Sequence, residues 1–221
     1  MSGELARLYG VAQPSRHSGQ MGRVQAQLDR IIELGRLCLQ LGRVNRATYH
    51  EDGQRRETDT DHTVMLSCIA CAVAQVVAPH LDLGLVSQFA QVHDFVEVHA
   101  GDTVTLGGHA GADKAAREAA ALERIRADFR SLPWLPQMIT RYESLVDPEA
   151  RFVKVLDKLM PCITHLLNGG VTIRELGLGG RLAELHRVQR DTIASTYGSD
   201  QPWAMELLRE IHAMLDEMMA R

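Results

Sequence analysis

The chain has 221 residues, of which 45% are apolar, and a formal net charge of -4. This length and composition are ordinary for one globular domain, and the slight acidity argues against a general binder of nucleic-acid polymers. The sequence contains no run of about eighteen uninterrupted apolar residues and no charged-then-apolar leader pattern. We therefore expect a cytoplasmic protein without membrane attachment.

The N-terminal end, residues 1–22, mixes Gly, Ser, Pro and Arg without a sustained period, and we predict a mobile arm there. Apolar residues at helical spacing then predict a first helix over Arg23–Leu41, which Gly42 ends. The next stretch, Arg43–Gly53, has no period and closes with an Asp-Gly turn signal, which indicates an irregular loop. Residues 23–221 are predicted to form one domain.

A second apolar helical run follows this loop and carries a histidine in its first turn. His62 stands just before Val64 and Leu66, which begin the apolar pattern. Asp59 or Thr60 is predicted as the N-cap, because a short polar side chain there can accept a hydrogen bond from the first free backbone amides.

The third helical run places a histidine beside an aspartate. Apolar residues predict one continuous helix over Leu85–Val98, and Gly101 supplies the stop signal. His93 and Asp94 are adjacent inside this run, and Glu97 follows about one turn later. Burying ionisable groups is costly unless they pair with one another or bind a metal. This helix is therefore a candidate site.

A lone aspartate interrupts another apolar segment, Phe152–Met160, in a helix that Pro148 begins at a favoured first-turn position. Two imidazoles and two carboxylates are thus available, from His62, His93, Asp94 and Asp157. Such a mixed nitrogen and oxygen set suits one divalent ion, and Mn, Co, Fe, Ni and Zn are all candidates. Mg is also a candidate, although imidazole ligands disfavour it.

Three blocks of this sequence resemble those of a known family. The first is Arg-x-Glu-x-x-x-Asp-His, which ends at His62; the second is His-Asp-x-x-Glu-x-x-x-Gly-Asp, from His93 to Asp102; the third is Val-Lys-x-x-Asp, which ends at Asp157. Their order resembles the HD-domain metal-dependent phosphohydrolase superfamily, and their flanks are similar to its bacterial 5'-deoxynucleotidase branch. The resemblance implies an all-α bundle with a metal site between helices, and we predict about eight helices.

The resemblance also implies an activity, the hydrolysis of nucleoside 5'-monophosphates with deoxynucleotides preferred. Glu97 would orient or deprotonate the attacking water, and Asp102 would assist the leaving oxygen or contact a sugar hydroxyl. In the relatives a tryptophan follows the arginine that precedes the first block, whereas Ala47 follows Arg46 here, so we expect weaker sugar selectivity. Two alternatives stay open: hydrolysis of nucleoside triphosphates at the same site, and a non-catalytic module that binds nucleotides.

Five cationic side chains are candidates for holding the substrate's phosphate, because guanidinium forks and ammonium groups pair with phosphate oxygens. Three of them stand before His62 and two stand in later helices; they are Arg46, Arg55, Arg56, Lys114 and Lys158. The alternative is that these groups are ordinary solvated surface charges.

Two amphipathic helices are predicted at the C-terminal end, over roughly residues 181–195 and 202–219. The last one carries several methionines, which pack a core or a subunit interface equally well. We expect a homodimer or a higher homo-oligomer. The four cysteines are predicted to be buried in apolar helices rather than to bind metal; they are Cys38, Cys68, Cys71 and Cys162.

Overall fold

The protein is described by a computed structural model, which covers residues 16–102, 111–196 and 202–221. The chain divides into two units, residues 1–38 and residues 39–221. Most of helix α1 (Arg16–Leu41) lies in the first unit, and it begins earlier than predicted. Residues 16–22, predicted as part of a mobile arm, are therefore helical, and residues 1–15 lie outside the described residues.

Helices account for most of the second unit. Within the described residues they are α2 (Asp59–Val77), α3 (Leu83–Val92), α4 (Glu97–Ala100), α5 (Gly111–Asp128), α6 (Trp134–Glu143), α7 (Pro148–Leu167), α8 (Val171–Glu175), α9 (Leu182–Thr196) and α10 (Pro202–Met219), with a 3₁₀ turn at Gly179–Arg181. Eight of these ten α-helices, α1 included, have ten or more residues, which confirms the predicted all-α class.

Helix α7 is the centre of this unit, because α2, α3, α6, α9 and α10 all pack against it. Its side chains from Phe152 to Met160 are mostly buried, and Leu156 and Leu159 are fully so. Each fully buried leucine contributes roughly 2 kcal/mol of transfer free energy. Asp157 therefore lies in a helix whose position is fixed by apolar packing on several sides.

The segment Arg43–Gly53, predicted as an irregular loop, is instead the first half of a β-hairpin. Strand β1 (Asn45–Tyr49) pairs antiparallel with β2 (Arg56–Thr58), with an irregularity in register between the paired ends. The predicted Asp-Gly turn is present, and Gly53 has a φ of +67° that favours glycine. The hairpin is fastened to α8, because the backbone amide of Tyr49 donates to Thr172 Oγ1 at 2.8 Å.

The predicted continuous helix over Leu85–Val98 is broken in the structure. Helix α3 ends at Val92 and α4 begins at Glu97, with tight three-residue turns between them. The cause is a side chain: His93 Nδ1 donates to the carbonyl of Ala90 at 2.8 Å, and a continuous helix would use that carbonyl for the amide of residue 94.

Helix α2 begins with a capping box rather than with the predicted cap at Asp59 or Thr60. Thr58 Oγ1 accepts from the amide of Asp61, and the Asp61 carboxylate accepts from the amide of Thr58 at 2.9 Å. By length and composition α2 is also a candidate membrane span, with 28% of it buried, and it packs against α3 and α7.

The cysteine prediction is wrong for two of the four residues. Cys38 and Cys68 are exposed, Cys71 is half-buried and Cys162 is buried.

Candidate metal and phosphate site

The four predicted metal ligands meet in the structure. His62 lies in the first turn of α2, His93 and Asp94 follow α3, and Asp157 lies in the middle of α7. One ligand atom from each of them falls within 4.8 Å of the others. The tight turns after α3 contribute to this convergence, because they redirect the chain at the histidine and aspartate.

The ring of His93 presents an acceptor atom to the site. Its Nδ1 donates to the Ala90 carbonyl, so the proton of the neutral ring is on Nδ1. Nε2 lies 2.8 Å from Asp94 Oδ2 yet has no hydrogen-bond partner of acceptable geometry among the described residues. Burial lowers the pKa of His93, but the charge and hydrogen bond of Asp94, the charge of Asp157 and the Ala90 carbonyl together raise it above the usual value. A proton or a metal cation between His93 Nε2 and Asp94 Oδ2 would give both atoms a partner.

His62 is oriented from both sides of its ring. Nε2 lies 3.1 Å from Asp157 Oδ1, and Nδ1 lies 3.9 Å from Glu57 Oε1. Glu57 is buried and accepts a short hydrogen bond from Thr48 Oγ1. A carboxylate behind a histidine is the arrangement that orients metal-ligating imidazoles in proteins.

Carboxylates are concentrated beside these ligands. Asp59, Asp94 and Glu97 bring one oxygen each within 4.8 Å of one another. Burial, followed by the charges of Asp94 and Asp59, raises the pKa of Glu97 to about 10, and burial and Asp94 raise the pKa of Asp59 to about 7. Asp59 Oδ2 and Glu97 Oε2 are buried without a hydrogen-bond partner in the described part of the chain. The residues therefore fit a divalent cation, whose charge would offset this excess.

Arg46 pairs with one of the candidate ligands and with a neighbouring carboxylate. Its Nη1 donates to Asp94 Oδ2 at 2.8 Å and to the fully buried Asp59 Oδ1 at 3.1 Å. Burial lowers the pKa of Arg46, but the charges of Asp94 and Asp157 raise it more, so the group stays charged. The guanidinium is held rigidly at the edge of the candidate metal site.

Two cavities adjoin the ligands and differ in character. The first, the charged cavity, is lined by His93 and by ten charged residues. Four of these are cations, Arg46, Lys114, Lys154 and Lys158, and six carry carboxylates, Asp94, Glu97, Asp102, Glu118, Glu143 and Asp157. The second, the apolar cavity, is lined mainly by α7, α9 and the region around α8. Four residues line both cavities: Arg46, Asp102, Asp157 and Lys158.

The predicted substrate-binding residues fall into two groups. Arg46, Lys114 and Lys158 line the charged cavity, and Lys158 Nζ lies 2.8 Å from Asp157 Oδ2. The structure brings neither Arg55 nor Arg56 to either cavity. Arg55 pairs with the capping residue Asp61 at 2.7 Å, and Arg56 stacks on Tyr49 with its guanidinium carbon 4.2 Å from the ring centroid. Both arginines serve the hairpin and the start of α2.

Three residues of the site were not identified from the sequence. Spacing in the sequence could have identified Asp59 and Glu57, since they precede His62 by three and five residues and reach the same end of α2. Spacing could also have identified His165, because it follows Asp157 by two helical turns on α7 and so faces the same side. It lines the apolar cavity and is buried.

An all-α unit that gathers two histidines and two aspartates, in the order His, His-Asp, Asp, belongs to the class of helical metal-site proteins. The family profile described as HD domain matches residues 38–198, so the chain belongs to the HD-domain family. Comparison with curated proteins finds no match.

Solved structures share this fold. A predicted metal-dependent phosphohydrolase from Magnetospirillum magnetotacticum MS-1 has a TM-score of 0.69 and 23% identity, over 89% of this chain and 96% of that chain. A conserved hypothetical protein from Pyrococcus furiosus has a TM-score of 0.56 and 21% identity, over 82% and 99%. A protein from Pyrococcus horikoshii OT3 has a TM-score of 0.53 and 20% identity, over 85% and 99%. At these identities the likeness is one of fold.

Proposed function

We propose that this protein is a metal-dependent phosphohydrolase that converts nucleoside 5'-monophosphates, deoxynucleotides before ribonucleotides, to nucleoside and phosphate. The observation that carries the proposal is the junction of the two cavities at Asp157, Arg46, Asp102 and Lys158. A nucleoside monophosphate likewise has a charged phosphate at one end and an uncharged nucleoside at the other. The name of the Magnetospirillum protein supports the reaction class.

The charges of the first cavity favour a monophosphate over a triphosphate. Each of its four cations lies beside a carboxylate: Arg46 beside Asp94, Lys114 beside Glu118, Lys154 beside Glu143 and Lys158 beside Asp157. Two further carboxylates, Glu97 and Asp102, line the same cavity. Because the cavity has no surplus of cations, it suits the smaller charge of one phosphate group.

The four ligands His62, His93, Asp94 and Asp157 would hold the ion. A bound divalent cation polarises a phosphoryl oxygen and lowers the pKa of bound water toward about 7. Arg46 would hold a phosphate oxygen in position, because its guanidinium is fixed by two carboxylates through Nη1 and the residue lines both cavities. This orientation keeps the reacting phosphorus beside the ligands.

Two carboxyl groups are available for proton transfer. Glu97 lines the charged cavity, and its buried Oε2 has no hydrogen-bond partner among the described residues. Burial and the neighbouring carboxylates raise its pKa to about 10, and a bound divalent cation would offset those charges and leave Glu97 ionised. In that state Glu97 would take the proton of the attacking water. Asp102 lines both cavities, so it would lie where the phosphate meets the sugar. We assign it to the leaving oxygen or to a sugar hydroxyl.

The test is phosphate release from protein that has been stripped of metal and reloaded with Mn, Co or Mg. Nucleoside and phosphate should appear with 5'-monophosphates, and the matched triphosphates should be cleaved more slowly. Asp94→Asn, purified and reloaded in the same way, should lose both bound metal and activity. The proposal fails if no nucleotide releases phosphate with any of the three metals.

A further inference from the structure

Most of the residues that line the apolar cavity follow the last candidate metal ligand, Asp157, in the chain. Helix α7 contributes Pro161 and His165, and helix α9 contributes Leu185, Val188 and Gln189. This cavity opens onto the four residues it shares with the charged cavity. Helices α7 and α9 therefore form a wall next to the shared residues, and this wall is a candidate for contacting the rest of the substrate.

The occupant of this cavity should be uncharged. Apart from the four shared residues, every residue that lines it carries no formal charge. His165 belongs to this neutral set, because burial lowers its pKa to about 4. Phosphate therefore has no counter-charge at this end, whereas a flat heterocycle can contact the apolar side chains and still find polar partners.

Two polar side chains are positioned to contact the edge of such a ring. His165 is 6% exposed, and its Nδ1 has no hydrogen-bond partner among the residues that the structure describes. Gln189 is held by two neighbours, since His212 Nε2 donates to its Oε1 at 2.8 Å and its side chain also hydrogen-bonds Cys162. The hydroxyls of Thr48 and Thr172, which also line the cavity, are engaged with Glu57 and with Tyr49 and Asn168.

The size of the cavity points to one ring rather than two. Its volume is about 130 Å³. An apolar protein cavity of about 150 Å³ holds a single benzene ring. A pyrimidine therefore fits within the walls, whereas the second ring of a purine would have to displace a side chain or project toward the mouth.

We propose that this cavity binds the base of the nucleotide, a pyrimidine in preference to a purine, with His165 and Gln189 as the residues that contact its edge. The inference rests on the proposed nucleotidase function and specifies its substrate. It also assigns helix α9 a part in substrate selection rather than in stability alone.

The experiment compares three substrates with metal-loaded protein: thymidine 5'-monophosphate, 2'-deoxyadenosine 5'-monophosphate and 2-deoxyribose 5-phosphate, which has no base. We expect kcat/KM to fall in this order, with the base-free compound about tenfold or more below the pyrimidine nucleotide. His165→Leu and Gln189→Leu should each lower kcat/KM for thymidine 5'-monophosphate about fivefold to tenfold, the cost of one hydrogen bond. In both variants the ratio of kcat/KM for thymidine 5'-monophosphate to kcat/KM for the base-free compound should fall, because the base-free compound has no ring to contact these side chains.

A cavity-filling variant provides an independent check. Val188 lines the cavity and is half-buried, so Val188→Phe should fill the space and raise KM for both nucleotides while hydrolysis of 2-deoxyribose 5-phosphate is retained. Ala183→Phe, at an exposed position on the same helix, is the matched control and should leave all three substrates unchanged. Base-free and base-containing substrates cleaved equally well, in wild type and in Val188→Phe, would overturn the inference. Absence of phosphate from all three would instead overturn the nucleotidase function.

Discussion

Asp94 pairs with two neighbours through one oxygen. That oxygen, Oδ2, lies 2.8 Å from His93 Nε2 and 2.8 Å from Arg46 Nη1. Burial raises the pKa of Asp94, but His93 and Arg46 lower it more, so the carboxylate is ionised. Asp94 can therefore serve as a metal ligand while it fixes the arginine proposed to hold the phosphate.

Glu97 is the residue at which metal binding and proton transfer can be tested separately. Because it lies beside the ligand set without being needed to complete it, Glu97→Gln should retain metal and lose turnover by about 10²–10⁴-fold, the usual contribution of a general base. Metal content measured by elemental analysis and phosphate release on the same preparation test this expectation. A metal-free Glu97→Gln protein would show instead that Glu97 is a ligand.

Ala47 is the residue at which sugar selectivity can be tested. It lines the apolar cavity beside Arg46, and the ring of the nearby Tyr49 is stacked with Arg56 and is not part of the lining. If the tryptophan of the similar nucleotidases blocks a 2'-hydroxyl, Ala47→Trp should lower kcat/KM for ribonucleotides relative to deoxynucleotides by about 10 to 200-fold.

Matched ribo and deoxyribo monophosphates of one base provide the measurement, in wild type and variant. Undiminished cleavage of the ribonucleotide by Ala47→Trp would contradict the proposed role of this position. Loss of both substrates together would indicate that the indole blocks the base rather than the sugar.

At the scale of the elements, the sequence predicts the helices and the convergence of the four candidate ligands better than it predicts the local geometry around them. His62 and Asp157 stand out because ionisable residues in an apolar helical run are costly unless they have partners. The break between Val92 and Glu97 could not be predicted in this way, since it depends on a hydrogen bond from the His93 ring to Ala90. Helical periodicity does not report such a bond.

The hairpin shows a second limit of the same kind. Asn45–Tyr49 is too short for an alternating pattern to be convincing, and its partner strand has three residues. Its position depends on contacts with residues more than a hundred positions away, such as Thr172. The site residue Arg46 was identified by its chemistry, but its place on a strand and its partner Asp59 required the fold.

Helices α9 and α10 are joined by a pair of buried histidines. The rings of His186 and His212 are stacked with centroids 3.7 Å apart. Burial, followed by the neighbouring His186 and Arg190, lowers the pKa of His212 to about 4, and burial lowers that of His186 as well. The folded protein thus keeps this pair neutral under conditions in which an unfolded histidine would take up a proton.

This pair should make stability depend on pH. Because the folded pKa lies below the unfolded value of about 6.5, the unfolded chain binds more protons as the pH falls from about 6.5 toward about 4, and stability is lost over that window. A shift of this size for His212 corresponds to about 3 kcal/mol when the transition is complete.

Replacement of one ring isolates the effect. His186→Phe retains a flat stacked ring without a titrating group, so its unfolding free energy should fall less between about pH 7 and about pH 5 than that of wild type. Urea unfolding at both pH values measures the difference, and His80→Phe, at an exposed position, is the control. Equal losses in wild type and His186→Phe would contradict the assignment.

At the scale of the whole molecule, helix α1 has a stripe of exposed apolar side chains along one face. Met21, Val24, Leu28 and Ile31 are 73%, 58%, 47% and 62% exposed. They follow one another at alternating steps of three and four residues, which is the heptad spacing of helices that pair lengthwise. Apolar residues exposed in a row mark interaction surfaces in soluble proteins.

We expect this stripe to pair with that of a second copy and give a homodimer in solution. Leu28→Glu should convert the dimer to a monomer, because it places a charge in the centre of the stripe. Ala26→Glu adds the same charge on the opposite side of the helix and should leave the dimer intact. Light scattering coupled to size-exclusion chromatography gives the mass of each.

Since no α1 residue lines either cavity, phosphate release should be equal in both variants. A monomeric wild type, or a Leu28→Glu protein that remains dimeric, would exclude this interface.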